Sequence, residues 1–587
     1  MSVKLIKSAT RITKRMIRRA YPVKVFYPDW NNVLGTNFPW KKESLPLTDR
    51  PRILFANVGG HSEAATLESL LAVALSLRGA RVDILLCDEV LPACERCGID
   101  WVLSLGSFMR HGPKKDACPT CFAPAYEMFK SMGVTVRRYS EFLSADDFLL
   151  ADRVANSIPA KEIGEYAVSN FPVGEHALAG ALRFYARGDL NGEVHGEAVL
   201  RRYLKGSLLT ASAISTLFDQ SDYSCVVAHH GIYVPQGLVG AVARQKNVRV
   251  VNWTIAYRKQ TFIFSHGDTY HHTMMSEPVE NWEGIQWTHE IELELMDYLK
   301  SRWDGSMDWI SFNRNPENDL RIIAQDLGID FAKPCVGLLT NVIWDAQLHY
   351  PSNVFHSMIE WLLETIRYFA SRPDLQLIVR VHPAEVTGAI RSRQLAEEEI
   401  KRAFSTLPRN VFIIPPNSPV STYATMLQCN AAIIYGTKTG IELTSLGIPV
   451  IVAGEAWIRN KGITLDATSV AEYTSLLDRL PFAGRLSDSE IERARKYAYH
   501  FFFRRMIPLE NMVPAGWPRY VLKVDGLDDL LPGKDPGLDV ICDGIMRGAE
   551  FIYPAERLRA KHPELPLFRS EAIEGSNLAY NHANRVT

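Results

Sequence analysis

Short apolar runs alternate along most of the chain with longer segments of helical periodicity. "PRILFANVGG" (residues 51–60) has the apolar content of a buried strand, "SEAATLESLLAVALSLRGA" follows with helical spacing, and "RVDILLCDE" reads as a strand again. The same order recurs in "SCVVAHHG", "PQGLVGAVARQKNV" and "RVVNW". Since strand–helix–strand units build parallel sheets with helices on both faces, the pattern predicts a doubly wound α/β domain.

A second series of the same kind begins near Pro334. It combines the helical segment "NVFHSMIEWLLETIRYFASR" with predicted strands in "CVGLLTNV", "LQLIVRVHP", "NVFIIPP", "NAAIIYG" and "GIPVIVAG". Two Rossmann-like domains in one chain leave a cleft between them. Because open α/β sheets bind ligands at the carboxyl ends of their strands, the loops that face this cleft are the predicted location of the chemistry.

Breaks in the pattern divide the chain into successive segments. We predict a basic N-terminal arm (1–48), a first Rossmann-like domain (49–290), a helical connection (291–332), a second Rossmann-like domain (333–513) and a C-terminal extension (514–587). The extension is rich in Pro and Gly and weakly periodic, so no role is predicted for it.

Composition narrows the functional class only slightly. The 587 residues are 47% hydrophobic, which is enough for full cores, and 65 basic against 66 acidic residues give no overall charge that would favour nucleic acid. No run approaches the ~18 apolar residues that cross a bilayer, and no secretion signal follows Met1. The sequence therefore predicts a cytoplasmic protein.

The first 22 residues differ from this balance. They carry seven Lys and Arg and no acidic residue, with apolar residues at helical spacing. A basic amphipathic helix of this kind lies on anionic lipid, so the segment predicts peripheral contact with the inner membrane surface. A frayed basic leader and an organellar transit peptide are the alternatives.

The cysteines form a separate signal within residues 87–121. Cys94-x-x-Cys97 and Cys118-x-x-Cys121 are separated by twenty residues, a spacing at which two turns can supply four thiolates to one metal. Without a secretion signal, disulfides are disfavoured. We predict a metal-binding insertion that holds structural zinc, with an iron–sulfur cluster or free thiols as alternatives; the insertion has too few basic residues for nucleic acid.

The stretch "AAIIYGTKTGIELTSLGIPVIVAGEAW" (431–457) combines a strand with a hydroxyl-rich loop and a helix. Backbone N–H groups and hydroxyls at a helix N-terminus bind phosphate. Glu442, one turn into this helix, is placed to accept hydrogen bonds from a ribose or sugar hydroxyl. The alternative is a carboxylate that only complements the helix dipole.

Together with Arg380-Val381-His382-Pro383, this stretch resembles a known family. The pairing of "R-x-H-P" with "G-T-x-x-G-x-E-L-x-x-x-G-x-P-V" is similar to that of the bacterial capsular-polysaccharide biosynthesis family of GT-B glycosyltransferases, relatives of Kdo and sialic acid transferases that use CMP-activated sugars. The resemblance implies that His382 contacts the donor phosphate and that Thr437 and Thr439 take the place of a Ser/Thr motif. The predicted nucleotide-sugar contacts are Arg380, His382, Thr437, Lys438, Thr439, Gly440 and Glu442.

The sequence leaves the identity of the donor nucleotide undecided between CMP and UDP or GDP. "YGTKTG" stands where the family has a serine pair, and a Glu followed by G-x-P-V also resembles the ribose-binding carboxylate of UDP- and GDP-sugar transferases. A second Glu eight residues upstream would support that comparison, but Ile434 occupies the position.

Glycosyl transfer with inversion also needs a base that removes a proton from the acceptor. In a GT-B cleft the first domain presents the acceptor, and its strand-end loops are rich in His. Any one of these side chains could instead orient substrate or cap a helix. The candidate bases are Glu63, His230 and Asp345, and the candidate acceptor contacts are His61, His229 and the anion-binding pair Arg258 and Lys259.

The resulting prediction is a GT-B glycosyltransferase of capsule or related surface-polysaccharide synthesis, with two Rossmann-like domains that face a central cleft. It would transfer a sugar from a nucleotide-sugar donor to a glycan or lipid-linked acceptor. No Asp-x-Asp motif stands in a suitable loop, so transfer without a catalytic metal is expected. The alternatives are a nucleotide-sugar 2-epimerase and a non-catalytic component of the capsule assembly machinery.

Overall fold

The computed structural model describes residues 27–35, 40, 50–102, 104–303, 305–312, 316–348, 350–516 and 519–561. The predicted membrane-binding helix within residues 1–22 lies outside these ranges.

The described strands form two large sheets and one small hairpin. Their bounds are β1 (Arg52–Asn57), β2 (Arg81–Leu86), β3 (Thr135–Arg138), β4 (Cys225–His229), β5 (Arg249–Ile255), β6 (Thr261–His266), β7 (Cys335–Leu339), β8 (Gln376–Arg380), β9 (Val411–Ile414), β10 (Ala431–Ile434), β11 (Val450–Val452), β12 (Leu465–Asp466), β13 (Ile507–Pro508), β14 (Met512–Pro514) and β15 (Tyr520–Leu522).

The described α-helices connect and cover these strands. Their bounds are α1 (Trp30–Leu34), α2 (Ser62–Leu77), α3 (Leu105–His111), α4 (Phe122–Ser131), α5 (Ala145–Ser157), α6 (Val173–Tyr185), α7 (Gly196–Gln220), α8 (Gln236–Gln245), α9 (Tyr270–Met275), α10 (His289–Ser301), α11 (Leu320–Leu327), α12 (Met358–Ala370), α13 (Ala384–Thr387), α14 (Ala396–Ala403), α15 (Thr422–Met426), α16 (Thr439–Ser445), α17 (Val470–Asp478), α18 (Asp488–Tyr499), α19 (Pro536–Arg547) and α20 (Ala555–Lys561).

The first sheet has the order β13-β6-β5-β4-β1-β2-β3. Strands β1 to β5 run parallel, whereas β6 pairs antiparallel with β5 and β13 pairs antiparallel with β6. Helix α2 is buried along almost its whole length because it packs against this sheet on one side and α19 on the other. The predicted strand–helix–strand units at β1–α2–β2 and β4–α8–β5 are confirmed.

The second sheet has the order β12-β11-β10-β7-β8-β9, and all of its strands are parallel. Strands β7, β8 and β10 are buried at every position, which explains the continuous apolar runs that marked them in the sequence. The prediction of an α/β fold built on two largely parallel sheets is confirmed.

The C-terminal part of the chain returns to the first domain. Residues 507–508 pair with β6, so the chain has already returned to the first sheet before the predicted domain boundary at 513. Helix α19 is attached to α2 through an ion pair between Arg78 and Asp539 (2.5 Å). A strand of two residues is too short to leave a periodic signal, and for this reason the pattern missed the return.

Among the helices of the described ranges, none has the length and apolar character that crossing a membrane requires.

Candidate active site

His382 lies directly after β8, where the sequence predicted a donor-phosphate contact. Its Nδ1 accepts a hydrogen bond from the backbone N–H of Ala384 (3.1 Å), and its own N–H donates to Thr340 Oγ1 (2.9 Å). Because Nδ1 is an acceptor, Nε2 carries the hydrogen and can donate. Burial, together with the positive charges of Lys438 and Arg380, lowers the pKa of His382 to about 4. At neutral pH the ring is therefore a neutral N–H donor in a positively charged environment.

Arg380 precedes His382 and is only 2% exposed. Its Nη1 donates to the carbonyl of Pro415 (2.6 Å) and its Nε to Thr422 Oγ1 (3.1 Å). Nη2 is buried and has no hydrogen-bond partner among the described residues. A buried guanidinium nitrogen without a partner costs free energy, and an anionic oxygen would satisfy it.

The predicted phosphate loop follows β10 and is held in place by the loop after β7. The backbone N–H of Gly436 donates to Asn341 Oδ1 (3.2 Å), and the hydroxyls of Thr437 and Thr439 lie 3.2 Å apart. Lys438 Nζ stands 4.4 Å from the ring centre of Tyr257, a residue of the first domain. Because Thr340 bonds His382 and Asn341 bonds Gly436, the loop after β7 holds His382 and the 437–440 loop at the same edge of the sheet.

Glu442 differs from its predicted role. It is 1% exposed, and its carboxylate forms ion pairs with Arg302 Nε (3.1 Å) and Lys438 Nζ (2.7 Å) and accepts a hydrogen bond from Tyr423. Burial alone would raise the pKa of Glu442, but Arg302 and Lys438 outweigh burial and lower it to about 2. Because these partners occupy the carboxylate, the described geometry does not favour the predicted contact with ribose. Glu442 positions Lys438 instead.

On the side of the first domain, His61 follows the Gly pair after β1. Its Nε2 lies 2.8 Å from Glu95 Oε1, and Arg96 Nη1 lies 3.3 Å from its Nδ1. Glu95 is 3% exposed and also accepts a hydrogen bond from Gln236 Nε2 (3.1 Å). Burial would raise the pKa of Glu95, but the neighbouring His and Arg side chains lower it well below its usual range.

The two histidines at the end of β4 complete a cluster of rings. The ring of His229 lies 5.6 Å from that of His61 and 4.7 Å from that of Trp253, between ring centres. His230 has a φ of 65° and stacks on Tyr233 at 5.3 Å. A left-handed conformation is strained for a residue with a side chain and is often found at functional sites. Burial lowers the pKa of both histidines, that of His229 to about 4.

The loop after β7 joins the donor and acceptor halves. Asp345 Oδ1 accepts a hydrogen bond from Tyr233 Oη (2.8 Å), and Tyr233 Oη accepts one from the backbone N–H of Ala346 (3.0 Å). The same loop holds Gly436 through Asn341. The loop after β7 therefore contacts both the 437–440 loop and Tyr233, on which His230 stacks.

Three predicted acceptor-side residues lie differently. Arg258 is 5% exposed, donates from Nη1 to the carbonyl of Phe502 and stacks on Phe503 at 4.7 Å, so it is inaccessible to an acceptor. Lys259 is exposed and donates to the carbonyl of Ser306 (2.8 Å). Glu63 lies half-buried in the first turn of α2, where its charge complements the helix dipole. The structure thus corrects Arg258 to a structural residue.

The predicted metal ligands are buried but do not form a closed site. Cys94 Sγ and Cys97 Sγ are 4.0 Å apart, and a cavity of about 10 Å³ is lined by Cys87, Cys94, Cys118 and Cys121 but not by Cys97. Within the described ranges, no group of three or more His, Cys, Asp or Glu side chains is arranged to hold a metal ion. The geometry does not support the predicted four-thiolate site.

Sequence reasoning missed Glu95, Tyr233 and Arg183. Arg183 donates to the backbone carbonyl of Glu95 and stands 5.0 Å from the ring centre of Tyr233. Glu95 lies between two cysteines, and the Cys-x-x-Cys pattern drew attention to the thiols only. A signal was available, because a carboxylate beside buried apolar residues is uncommon unless it is paired.

The fold and the site define a two-domain α/β protein in which the loop after β7 connects a cationic loop of the second domain with a histidine cluster of the first domain. Residues 333–485 match the model of the family "Capsule polysaccharide biosynthesis protein". This range contains His382 and the 437–440 loop. The match confirms the family resemblance for the second domain. A comparison with curated proteins gives no match.

Several solved structures resemble the chain distantly. The β-Kdo 2,4 transferase KpsC of Thermosulfurimonas dismutans is 15% identical, with 46% of this chain and 79% of that chain covered and a TM-score of 0.31. The UDP-GlcNAc 2-epimerase of Neisseria meningitidis is 9% identical (76% and 97% covered, TM-score 0.25). The glycosyltransferase SnogD of Streptomyces nogalater is 12% identical (77% and 94% covered, TM-score 0.22).

Proposed function

We propose that the protein is a glycosyltransferase that moves a sugar from a nucleotide-sugar donor to a glycan or lipid-linked acceptor of capsule synthesis. The observation that carries the proposal is that one loop connects the predicted donor contacts of the second domain with the histidine cluster of the first domain. The loop after β7 touches both groups, through Asn341 and Asp345. Donor and acceptor can therefore meet there.

The donor half supplies hydrogen bonds and positive charge to a phosphate. His382 can donate from Nε2, a buried nitrogen of Arg380 has no hydrogen-bond partner among the described residues, and the threonine hydroxyls line the loop. Helix α16 has only seven residues, so the side chains carry the interaction more than a helix dipole does. As the bond between sugar and phosphate breaks, these groups stabilise the negative charge that develops on the leaving nucleotide.

We further propose a CMP-activated sugar as donor. The argument for UDP or GDP rested on a carboxylate free to bind ribose, and Glu442 is held by Arg302 and Lys438. The resemblance links the His-Pro motif to CMP-activated sugars, and His382 of this motif lies near the charges of Arg380 and Lys438.

The test is a thermal-shift titration of the full chain with CMP, UDP, GDP and CDP, followed by measurement of nucleotide release from the matching nucleotide sugar with and without a lipid-linked glycan extract. A ligand that binds only the folded state raises the melting temperature. We expect CMP to give the largest rise, and acceptor to accelerate release. Release of nucleotide without acceptor, together with an altered free sugar, would point to an epimerase, and no shift with any nucleotide would contradict the proposal.

Structural zinc remains a proposal that rests on the convergence of thiols around one small cavity. If a metal is bound there, Cys118→Ser is expected to remove it and to lower the melting temperature, since a ligand is lost. Metal content by mass spectrometry and a melting curve measure the two effects. Cys542→Ser, a buried cysteine on α19, is the matched control and should destabilise without changing the metal content. Wild-type protein without stoichiometric metal would contradict the zinc site.

A further inference from the structure

We propose that Phe312, on the connection between the two domains, is the aromatic platform on which the nucleobase of the donor stacks while His382 holds the donor phosphate. This inference rests on the proposed glycosyl transfer and adds to the donor site a residue that the sequence did not single out. It assigns a place to the base, whereas the donor contacts described above concern the phosphate.

The ring of Phe312 lies directly against the ring of the predicted phosphate contact. Its centre is 5.2 Å from the centre of the His382 ring, and the two ring planes meet at 72°. In such a T-shaped pair the edge of one ring meets the face of the other, so His382 leaves at least one face of Phe312 uncovered. An aromatic face therefore stands next to the histidine that the donor phosphate would contact.

Phe312 contributes little to the folded cores. It is 37% exposed and lies outside the three hydrophobic clusters of the described ranges. A large apolar ring that stays in contact with water forgoes the free energy that its burial would provide. Since single exposed apolar residues are common on protein surfaces, the contact with His382 is what distinguishes this one as part of a ligand site.

The connection that carries Phe312 is anchored to both domains. On the N-terminal side, the backbone N–H of Trp309 donates to the carbonyl of Tyr257 in the first domain (2.6 Å). On the C-terminal side, the backbone N–H of Glu317 donates to the carbonyl of Pro419 in the second domain (2.8 Å). These anchors restrict the positions that the ring of Phe312 can take, which reduces the entropy that a ligand would lose by ordering it.

Two other aromatic rings near the donor contacts are already engaged. Lys438 Nζ lies 4.4 Å from the ring centre of Tyr257. Tyr423 stacks with Trp303, with ring centres 6.0 Å apart and planes 10° from parallel. Tyr257 and Tyr423 are also less exposed than Phe312. A base that stacked on either tyrosine would compete with these contacts, whereas Phe312 has an uncovered face.

A nucleotide has the arrangement of groups that Phe312 and His382 together would recognise. One ribose joins its base to its phosphate, so a phosphate held at His382 brings the base within reach of a neighbouring ring. Base–aromatic stacking strengthens binding roughly 5- to 150-fold and tolerates different bases, since every base has a π face. Phe312 therefore increases the affinity for the donor nucleotide without selecting among CMP, UDP and GDP.

The test measures the Kd of CMP and of ribose 5-phosphate, which has the ribose and the phosphate but no base, by calorimetric titration of the full chain. Phe312→Ala is expected to weaken the binding of CMP about tenfold or more and to leave that of ribose 5-phosphate unchanged. If UDP or GDP binds the wild type more tightly than CMP, the same loss is expected for that nucleotide, because stacking tolerates different bases.

Three further variants separate stacking from a general apolar contact. Phe312→Trp keeps a stacking face and should bind CMP as tightly as the wild type, whereas Phe312→Leu keeps apolar area without a π face and should lose most of the affinity that Phe312→Ala loses. Ile322→Ala, which removes an exposed apolar side chain of the same connection, is the matched control and should leave the Kd of CMP unchanged. The melting temperature of ligand-free Phe312→Ala should equal that of the wild type.

The outcomes distinguish the platform from the proposed function. If the wild type binds none of the nucleotides, the glycosyltransferase proposal fails and the platform fails with it. If the wild type binds a nucleotide and Phe312→Ala binds it equally well, only the platform is overturned. Equal losses for CMP and ribose 5-phosphate would mean that Phe312 merely supports His382, and wild-type affinity in Phe312→Leu would mean that no base stacks on the ring; either result overturns the inference.

Discussion

Glu442→Gln is expected to lower the apparent free energy of unfolding by about 3–5 kcal/mol, the usual cost of removing one partner from a buried ion pair. The carboxylate is 1% exposed and, together with Asp308, which also pairs with Arg302, balances the charges of Arg302 and Lys438. Glutamine keeps the volume but leaves the positive charges of both partners without the carboxylate between them. Chemical unfolding followed by tryptophan fluorescence measures the difference.

The contribution of Glu442 to stability should also depend on pH. The pKa of Glu442 is lowered to about 2 in the folded protein, below the ~4.3 of an unfolded glutamate. Its contribution to stability is therefore fully present above about pH 4.3 and is lost as the pH falls towards 2. The stability difference between wild type and Glu442→Gln should shrink over this window, because the glutamine does not titrate.

A surface carboxylate of the same domain provides the control. Glu398 is exposed on α14, and Glu398→Gln is expected to change stability by less than about 0.5 kcal/mol. An equally small effect of Glu442→Gln would mean that water reaches the ion pairs of Glu442 with Arg302 and Lys438, and would contradict the prediction.

His382→Ala is expected to weaken nucleotide binding at least tenfold without unfolding the protein. The variant removes the Nε2–H donor of a ring that lies near the positive charges of Lys438 and Arg380, and a hydrogen bond to a charged oxygen contributes roughly 1.5–3 kcal/mol. At 100 times the wild-type Kd, bound ligand stabilises by about 2.7 kcal/mol, and a tenfold loss of affinity removes about half of that. The nucleotide-induced rise in melting temperature should fall accordingly.

His356→Ala serves as the matched control, because His356 is an exposed histidine of the same domain. Its melting temperature and nucleotide response should equal those of the wild type. If His382→Ala keeps the full response to nucleotide, His382 is a strand-end histidine held by Ala384 and Thr340, and the donor phosphate lies elsewhere.

Much of the donor half was predictable because its signals are local. The apolar runs of β8 and β10 end where the sheet ends, and His382 and the 437–440 loop follow directly, so their side chains reach the same edge of the sheet. The antiparallel strand β6 and the short β13 were missed. Their residues lie in segments whose pattern also fits loops.

The acceptor half was predictable only as a list of candidates. His61, His229 and His230 were identified from their positions after β1 and β4, but the contacts that each of them makes were not. The ion pair of His61 depends on Glu95, which approaches it from a different segment of the chain. Likewise, nothing in the neighbourhood of Arg258 in the sequence reveals that Phe502 and Phe503 bury it.

The sequence by itself determined the fold class, the two parallel sheets and the loops at their carboxyl ends, since these follow from periodicity and from motifs that are contiguous in the chain. Only the tertiary structure decided which charges meet. Glu442 is occupied by Arg302, and Glu95 is bonded to His61, because folding brings segments that are distant in the chain to within 3.1 Å and 2.8 Å of each other. Whether a carboxylate binds a ligand or holds another side chain depends on such a contact, which no local pattern records.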